Sequence, residues 1–194
     1  MFILKSAMIL LCAAGALAAQ GLVDLNGLAS AAKRYASHGL QGTHSPATLD
    51  LRLMRGDNGA DPAWLMSKAS DVQRWTLFYE AQYQVPEEAG SVLPRPRSAS
   101  VKCTRGLFSD FFLSPPSIPG CKSMEFTWVA VNLDSAIANL NLHGYVRGFS
   151  QVETKRPDSP GYPDELVYVF TCPWERAKVA ISANTGALAW YQMY

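Results

Sequence analysis

Three histidines, four cysteines and two pairs of adjacent carboxylates are the residues of this chain with chemistry to offer. His38, His44 and His143 are the candidate metal ligands and proton carriers. No two of them stand one helical turn apart and no HExxH stretch occurs, so no zinc set forms on one helix face. His38 and His143 each precede a glycine, where an imidazole suits the negative end of a helix. Asp57-Asn-Gly-Ala-Asp61 offers oxygens but lacks the alternating ligands and distal Glu of a calcium loop; it reads as a turn followed by a helix cap. Glu87-Glu88 and Asp164-Glu165 are sequence neighbours in loops, whereas acid–base work needs two carboxylates facing each other across a cleft. There is no GxSxG and no phosphate-cradling glycine pattern. These residues assign no catalytic, metal or cofactor site. The chain reads as a non-enzyme, with an exported hydrolase of unrecognised site as the alternative.

The cysteines point to a compartment rather than a reaction. Residues 1–18 read as a signal peptide: Lys5, then an apolar run from Ala7 to Leu17, then Ala16-Leu17-Ala18 as a small-x-small cleavage site. That run is too short to span a bilayer, which takes about 20 residues. No later run is long enough, so no membrane span is expected after cleavage. Cys12 follows Leu11, where lipid attachment needs a small residue. The mature chain is expected to be secreted or periplasmic, and there disulfides persist. Cys103 and Cys121 flank one loop and are the preferred pair, worth about 3 kcal/mol by loop entropy. Cys172 lies in an apolar alternating run and is expected buried, although pairings with either other cysteine remain open. Loss of Lys5 with the signal leaves basic and acidic residues in balance, which excludes a nucleic-acid partner held by surplus positive charge.

Aromatic residues are the remaining candidates. Trp75, Tyr79 and Tyr83 fall on one face of an alternating run, while Trp174, Trp190, Tyr191 and Tyr194 gather near the C-terminus. Exposed together, such residues form a binding patch for a small ligand or carbohydrate; buried, they fill a helix-on-sheet interface.

The elements that would position these groups follow from periodicity. Residues 23–42 read as a helix with Leu25, Leu28, Ala29, Ala32 and Ala36 on one face, Asp24 or Asn26 as cap and Gly39 as terminator. A second helix begins at Leu133, with Asp134 as cap, Leu133, Ile137 and Leu140 as its stripe, and Gly144 as terminator. Asp61-Pro62 can start a short helix through "AWLMSKAS". Strands are expected at "TLDLRLM", 72–85, "ASVKCTRG", "MEFTWVAV", "YVRGFSQVET", "LVYVFTC", "AKVAIS" and "ALAWYQMY". The proline-rich "LSPPSIPG" marks a boundary, giving an N-terminal α+β module at 19–115 and a C-terminal one at 116–194. The halves align as an internal repeat: "RWTLFY" on "LVYVFT", and "SVKCTRG" on "AISANTG" with Gly106 on Gly186. A single α+β domain with one larger antiparallel sheet is the alternative.

Residues 131–191 carry a family pattern: a helix from Asp134-Ser-Ala, Gly144 after it, the strand "LVYVF", and the hairpin "VAISANTGALAW". In these features the second half resembles the PepSY family, small modules of exported proteins and of secreted metallopeptidase propeptides. It departs at the turn, where Ser182-Ala183-Asn184 replaces the family's Asp-Ala pair before Thr-Gly. The resemblance implies two tandem PepSY-like modules, each a helix packed on a three-stranded antiparallel sheet. It also implies a non-enzymatic binding or inhibitory module whose partner is another exported protein, such as a peptidase. It brings no catalytic residues.

Overall fold

The structure, a computed structural model, describes residues 24–40, 46–59, 64–83, 97–114, 120–124 and 129–194. Its first element is helix α1 (Leu25–Leu40). Leu25, Ala29, Ala32, Ala36 and Leu40 recur at helical spacing, so burying them puts one stripe against a sheet. Asp24 Oδ1 accepts from the Asn26 amide at 3.0 Å and ties down the first turn. Gly39 does not end the helix. It sits inside the last turn, where a Cβ would press on the Phe111 ring at 3.0 Å.

Nine strands follow or flank a second helix. They are β1 (Pro46–Asp57), β2 (Arg74–Tyr83), β3 (Arg97–Thr104), β4 (Leu107–Ser114) and β5 (Cys121–Lys122), then β6 (Gln151–Pro157), β7 (Val167–Cys172), β8 (Ala177–Ser182) and β9 (Leu188–Met193). Helix α2 (Leu133–Leu142) separates β5 from β6. Its cap is Asn132, whose side chain accepts from the Ser135 amide at 2.8 Å, not Asp134. Asp134 instead accepts from the Ala69 amide and so pins α2 to the short 3-10 turn Ala69–Asp71. Among the described residues, that turn is the only helical piece near "AWLMSKAS". Residues 64–68 are not helical, and Met66 forms a bridge to Phe149.

The fold expectation needs correction. The chain does not build two modules with a three-stranded sheet each. It builds one antiparallel sheet of nine strands in the order β4-β3-β2-β1-β6-β7-β8-β9, with β5 beside β6. Two features caused the misreading. The stretch between Cys103 and Cys121 looked like loop, yet Leu107–Ser114 returns as β4 along β3. Then β1 and β6, the first strands of the two halves, pair antiparallel over Leu53–Gly56 and Val152–Lys155. Each strand would otherwise present a row of unpaired N–H and C=O groups; joining them removes two edges at once. The proposed boundary between modules, in 115–119, lies outside the described residues, as do residues 125–128 of "MEFTWVAV"; Val129–Val131 are not strand.

Arranged this way, each half is a helix followed by a four-stranded meander, mirrored about the β1–β6 seam. The second strand of each half carries a tyrosine that bonds the overlying backbone, of helix α1 in the first half and of the segment leading into α2 in the second. Tyr79 Oη donates to the Ala29 carbonyl at 3.3 Å, and Tyr168 Oη to the Val131 carbonyl at 2.9 Å. The turn after the third strand uses a left-handed glycine in both, Gly106 (φ 82°) and Gly186 (φ 76°).

One face of the sheet makes the core. Trp75, Leu77, Tyr79 and Ala81 of β2 point to it, with Val101, Phe149, Tyr168, Phe170 and Ile181. The other face is polar. Arg74 pairs with Asp57, Arg52 with Glu80, Lys102 with Asp110, and Glu153 with both Arg55 and Lys155. Phe78, which breaks the alternation of β2, lies on this face beneath the Arg55 guanidinium at 5.6 Å.

Candidate functional site

The ionisable residues singled out above take structural roles where they are described. His38 and His143 sit at the ends of α1 and α2; His44 lies outside the described residues. Asp57 Oδ1 accepts from the Gly59 amide at 2.7 Å, closing the turn, and Asp61 is outside the described residues. Asp164 is held by Arg156 at 2.7 Å and Lys122 at 3.0 Å, and these two partners keep its carboxyl below the usual range. Its neighbour Glu165 accepts from Ser182 Oγ at 2.6 Å, so the two carboxylates serve different partners. Glu87-Glu88 are outside the described residues. Among the described residues, no three of His, Cys, Asp and Glu gather to hold a metal ion.

The expected Cys103–Cys121 disulfide is not formed. Cys103, Cys121 and Cys172 are free thiols. Cys103 lies on β3 and Cys121 on β5 beside β6, with β2 and β1 intervening in the sheet. Burial pushes the Cys103 thiol up to about 11 and the Cys172 thiol up to about 12. Burial also raises the Cys121 thiol. A raised value is the opposite of the depression that activates a thiol as a nucleophile.

The five candidate aromatics do not form one site. Trp75 and Tyr79 are buried in the core beneath α1. The Tyr83 side chain lies outside the described residues. Trp190 packs edge-on against Tyr162 at 4.9 Å, over a small cluster of Val167, Val169 and Ala180 on the polar face. Trp174, in the turn between β7 and β8, is 66% exposed with the Arg147 guanidinium 5.8 Å from its ring.

What the structure does assemble is an edge. β9 ends the sheet, and its sequence LAWYQM contains no charge. The Tyr194 amide donates to the Arg176 carbonyl at 2.9 Å. Antiparallel ladders alternate, so the amides of Gln192 and Trp190 also turn toward β8, while those of Tyr191 and Met193 point outward. Cross-strand pairing sets the faces. Tyr191 opposes Val179 and Met193 opposes Ala177, both core residues, which places these side chains on the helix-covered face at its rim. There they are 61% and 59% exposed. The chain following α2 reaches the same corner: Ser150 donates to the Thr171 carbonyl, Val146 is exposed, and Arg147 covers Trp174. Trp174, Tyr191, Met193, Tyr194 and Val146 thus bring exposed apolar side chains to one corner beside a strand whose outer edge has no partner among the described residues.

Sequence reading found the C-terminal aromatics but missed Val146 and Arg147. Their signal was an apolar and a basic residue directly after the helix-ending Gly144, where a solvent-facing loop would be polar throughout.

A second feature is a cavity of about 540 Å³ between α1 and the sheet. It opens because β1 stays paired with β2 along its length but leaves β6 beyond Leu53, and β5 wedges into the gap. The Met124 amide bonds the Leu51 carbonyl there at 2.8 Å. Ala29, Leu49, Leu51, Tyr79 and Met124 line it together with the polar Lys33 and Asp50. The Tyr79 hydroxyl is already committed to Ala29, so the polar groups at hand for a ligand are those of α1, Asp50 and Ser123.

No family model, no curated protein and no solved structure matches this chain. No helix among the described residues is long and apolar enough to cross a membrane.

Proposed function

We propose that the protein is a non-enzymatic binding module that captures an extended polypeptide segment on the outer edge of β9. The observation that carries this is the combination at β9: outward N–H and C=O groups on an uncharged strand, beside exposed Trp174, Tyr191, Met193 and Tyr194. Strand addition of this kind draws affinity from main-chain bonds and selectivity from alternate side chains. Large aromatic groups next to such an edge are the anchors that dominate interface energy. The signal-like residues 1–18 suggest an encounter in the exported space, and the PepSY resemblance suggests a peptidase as the captured protein.

The test is selection of peptides from a random phage-displayed library on immobilised protein, with Met193→Pro in parallel. Proline at an edge position whose N–H faces outward removes a docking donor without breaking the ladder to β8. Loss of the selected peptides in Met193→Pro, with Tm retained, is the expected result. Peptides that bind both forms equally would exclude the edge. Rates of co-secreted peptidases measured with and without the protein check the inhibitory role separately.

The cavity beneath α1 supports a second reading, a carrier of a small amphipathic ligand; its volume falls in the range of such sites. Ser30→Trp would fill its mouth. Loss of a ligand-induced Tm shift in that variant, with edge capture intact, would favour the carrier.

A further inference from the structure

Resting on the edge reading above, we propose that the segment captured by β9 is acidic, with apolar residues at alternate positions and Asp or Glu between them. The charge around β9 carries the argument. Arg176 and Lys178 are exposed on the β7–β8 turn and on β8, and Arg147 is exposed over Trp174. None of the three side chains has an ion-pair partner among the described residues, whereas Arg52, Arg55, Arg74, Lys102 and Lys155 on the sheet's polar face are all paired. Against them stands Glu175 in the same turn, half-buried, with one carboxylate oxygen lacking a hydrogen-bond partner. The corner is therefore net basic in a chain whose overall charge is near zero.

Strand geometry turns this into a pattern. A segment added to β9 alternates its side chains between the two faces. Those on the helix-covered face meet Tyr191 and Met193 and must be apolar to cover them. Those on the other face meet Gln192, with Lys178 opposite it on β8. A carboxylate there gains an ion pair, and one at the turn end of the strand gains Arg176 or Arg147. A second copy of this chain would bring two such basic rims together, a like-charge contact that weakens pairing of β9 with β9.

The experiment uses the same library selection, reading the charge of enriched peptides. The leading peptide is then titrated by fluorescence anisotropy against wild type, Met193→Pro and the triple variant Arg147→Gln, Arg176→Gln, Lys178→Gln. Enrichment of acidic, alternating peptides is expected. Their affinity should fall about tenfold in the triple variant, the effect of three surface ion pairs of ordinary strength. Added salt should reduce wild-type binding toward the same level. Enriched peptides that are neutral or basic, yet lost in Met193→Pro, would overturn the acidic partner and leave the edge standing. Peptides insensitive to Met193→Pro would overturn the edge as well. A dimer that Met193→Pro dissociates, with no peptide enriched, would make a second copy the occupant and overturn the proposal. A monomer that enriches nothing would overturn both readings.

Discussion

The two outer strands of the sheet, β4 and β9, are both rich in apolar residues yet are guarded differently. β4 is interrupted at its centre: Asp110 bulges out between Ser109 and Phe111 with φ 53°, and its carboxylate pairs with Lys102 on β3. A mid-strand bulge with a charge at its tip twists an edge away from further pairing. β9 also has an irregularity, but at Ala189, next to its turn. From Trp190 to Met193 it runs regular and uncharged. Among the described residues, the same fold thus guards one edge and leaves the other regular and uncharged. The difference teaches that two edges of one sheet can be guarded unequally, and the proposed capture at β9 depends on that inequality.

The comparison can be broken most strongly at the turns that aim the two edges. Gly186 has φ 76°, and the Asn139 side-chain nitrogen occupies the place its Cβ would take. Gly186→Val is expected to cost about 3 kcal/mol, because left-handed strain and a clash with α2 combine. Gly106→Val, at the matching turn before β4 with φ 82°, brings left-handed strain and should cost about 1 kcal/mol. Urea unfolding of both variants checks the difference. For binding, Trp174→Ala should weaken capture of a selected peptide by about 2 kcal/mol, the scale of an interface anchor. Phe112→Ala, an exposed aromatic on β4, should leave it unchanged. Anisotropy titration reads both.

Smaller effects sharpen the likeness of the two halves. Tyr79→Phe and Tyr168→Phe each remove one buried hydroxyl bond to the backbone, and each should cost about 1 kcal/mol in unfolding free energy. A large inequality would mean that the mirrored tyrosines do different work. Across the seam, burial pushes the Glu153 carboxyl up, but Lys155 and Arg55 outweigh it and hold it below the usual range. A depressed folded value means that the carboxylate stabilises the fold above the unfolded pKa, about 4.3, and that this contribution is lost as pH falls through the lower folded value. Glu153→Gln should flatten that acid limb of a Tm-versus-pH curve. Last, Asp110→Asn should change stability by no more than about 0.5 kcal/mol while raising light scattering at high concentration, since it removes the charge that guards β4.

Much of the local structure was legible because it is written in short periods. The face of β2 carrying Trp75, Leu77, Tyr79 and Ala81 follows from a spacing of two, and the stripe of α1 from spacings of three and four. Gly186 was legible as a turn. β4 was not, since "LFSDFFLS" breaks its alternation at the bulged Asp110. Caps were legible as a class but not as individuals: Asn132 and Asp134 are both competent, and Asp134 is drawn off by Ala69, distant in sequence. The proposed binding corner was half legible. Its aromatics are conspicuous, but Arg147 joins them only because the chain after α2 folds back onto β7.

By itself, the sequence determined both long helices, most of the strands and which side chains those elements turn inward, because backbone geometry converts regular residue spacing directly into faces. It also set the near-zero charge and the absence of a known catalytic motif. Only the tertiary structure decided that the halves share one sheet, that Cys103 and Cys121 stand strands apart, and that β9 rather than β1 or β6 is an open edge. Those outcomes depend on which strand ends find each other across the chain, and pairing between distant strands leaves no period in the sequence to read.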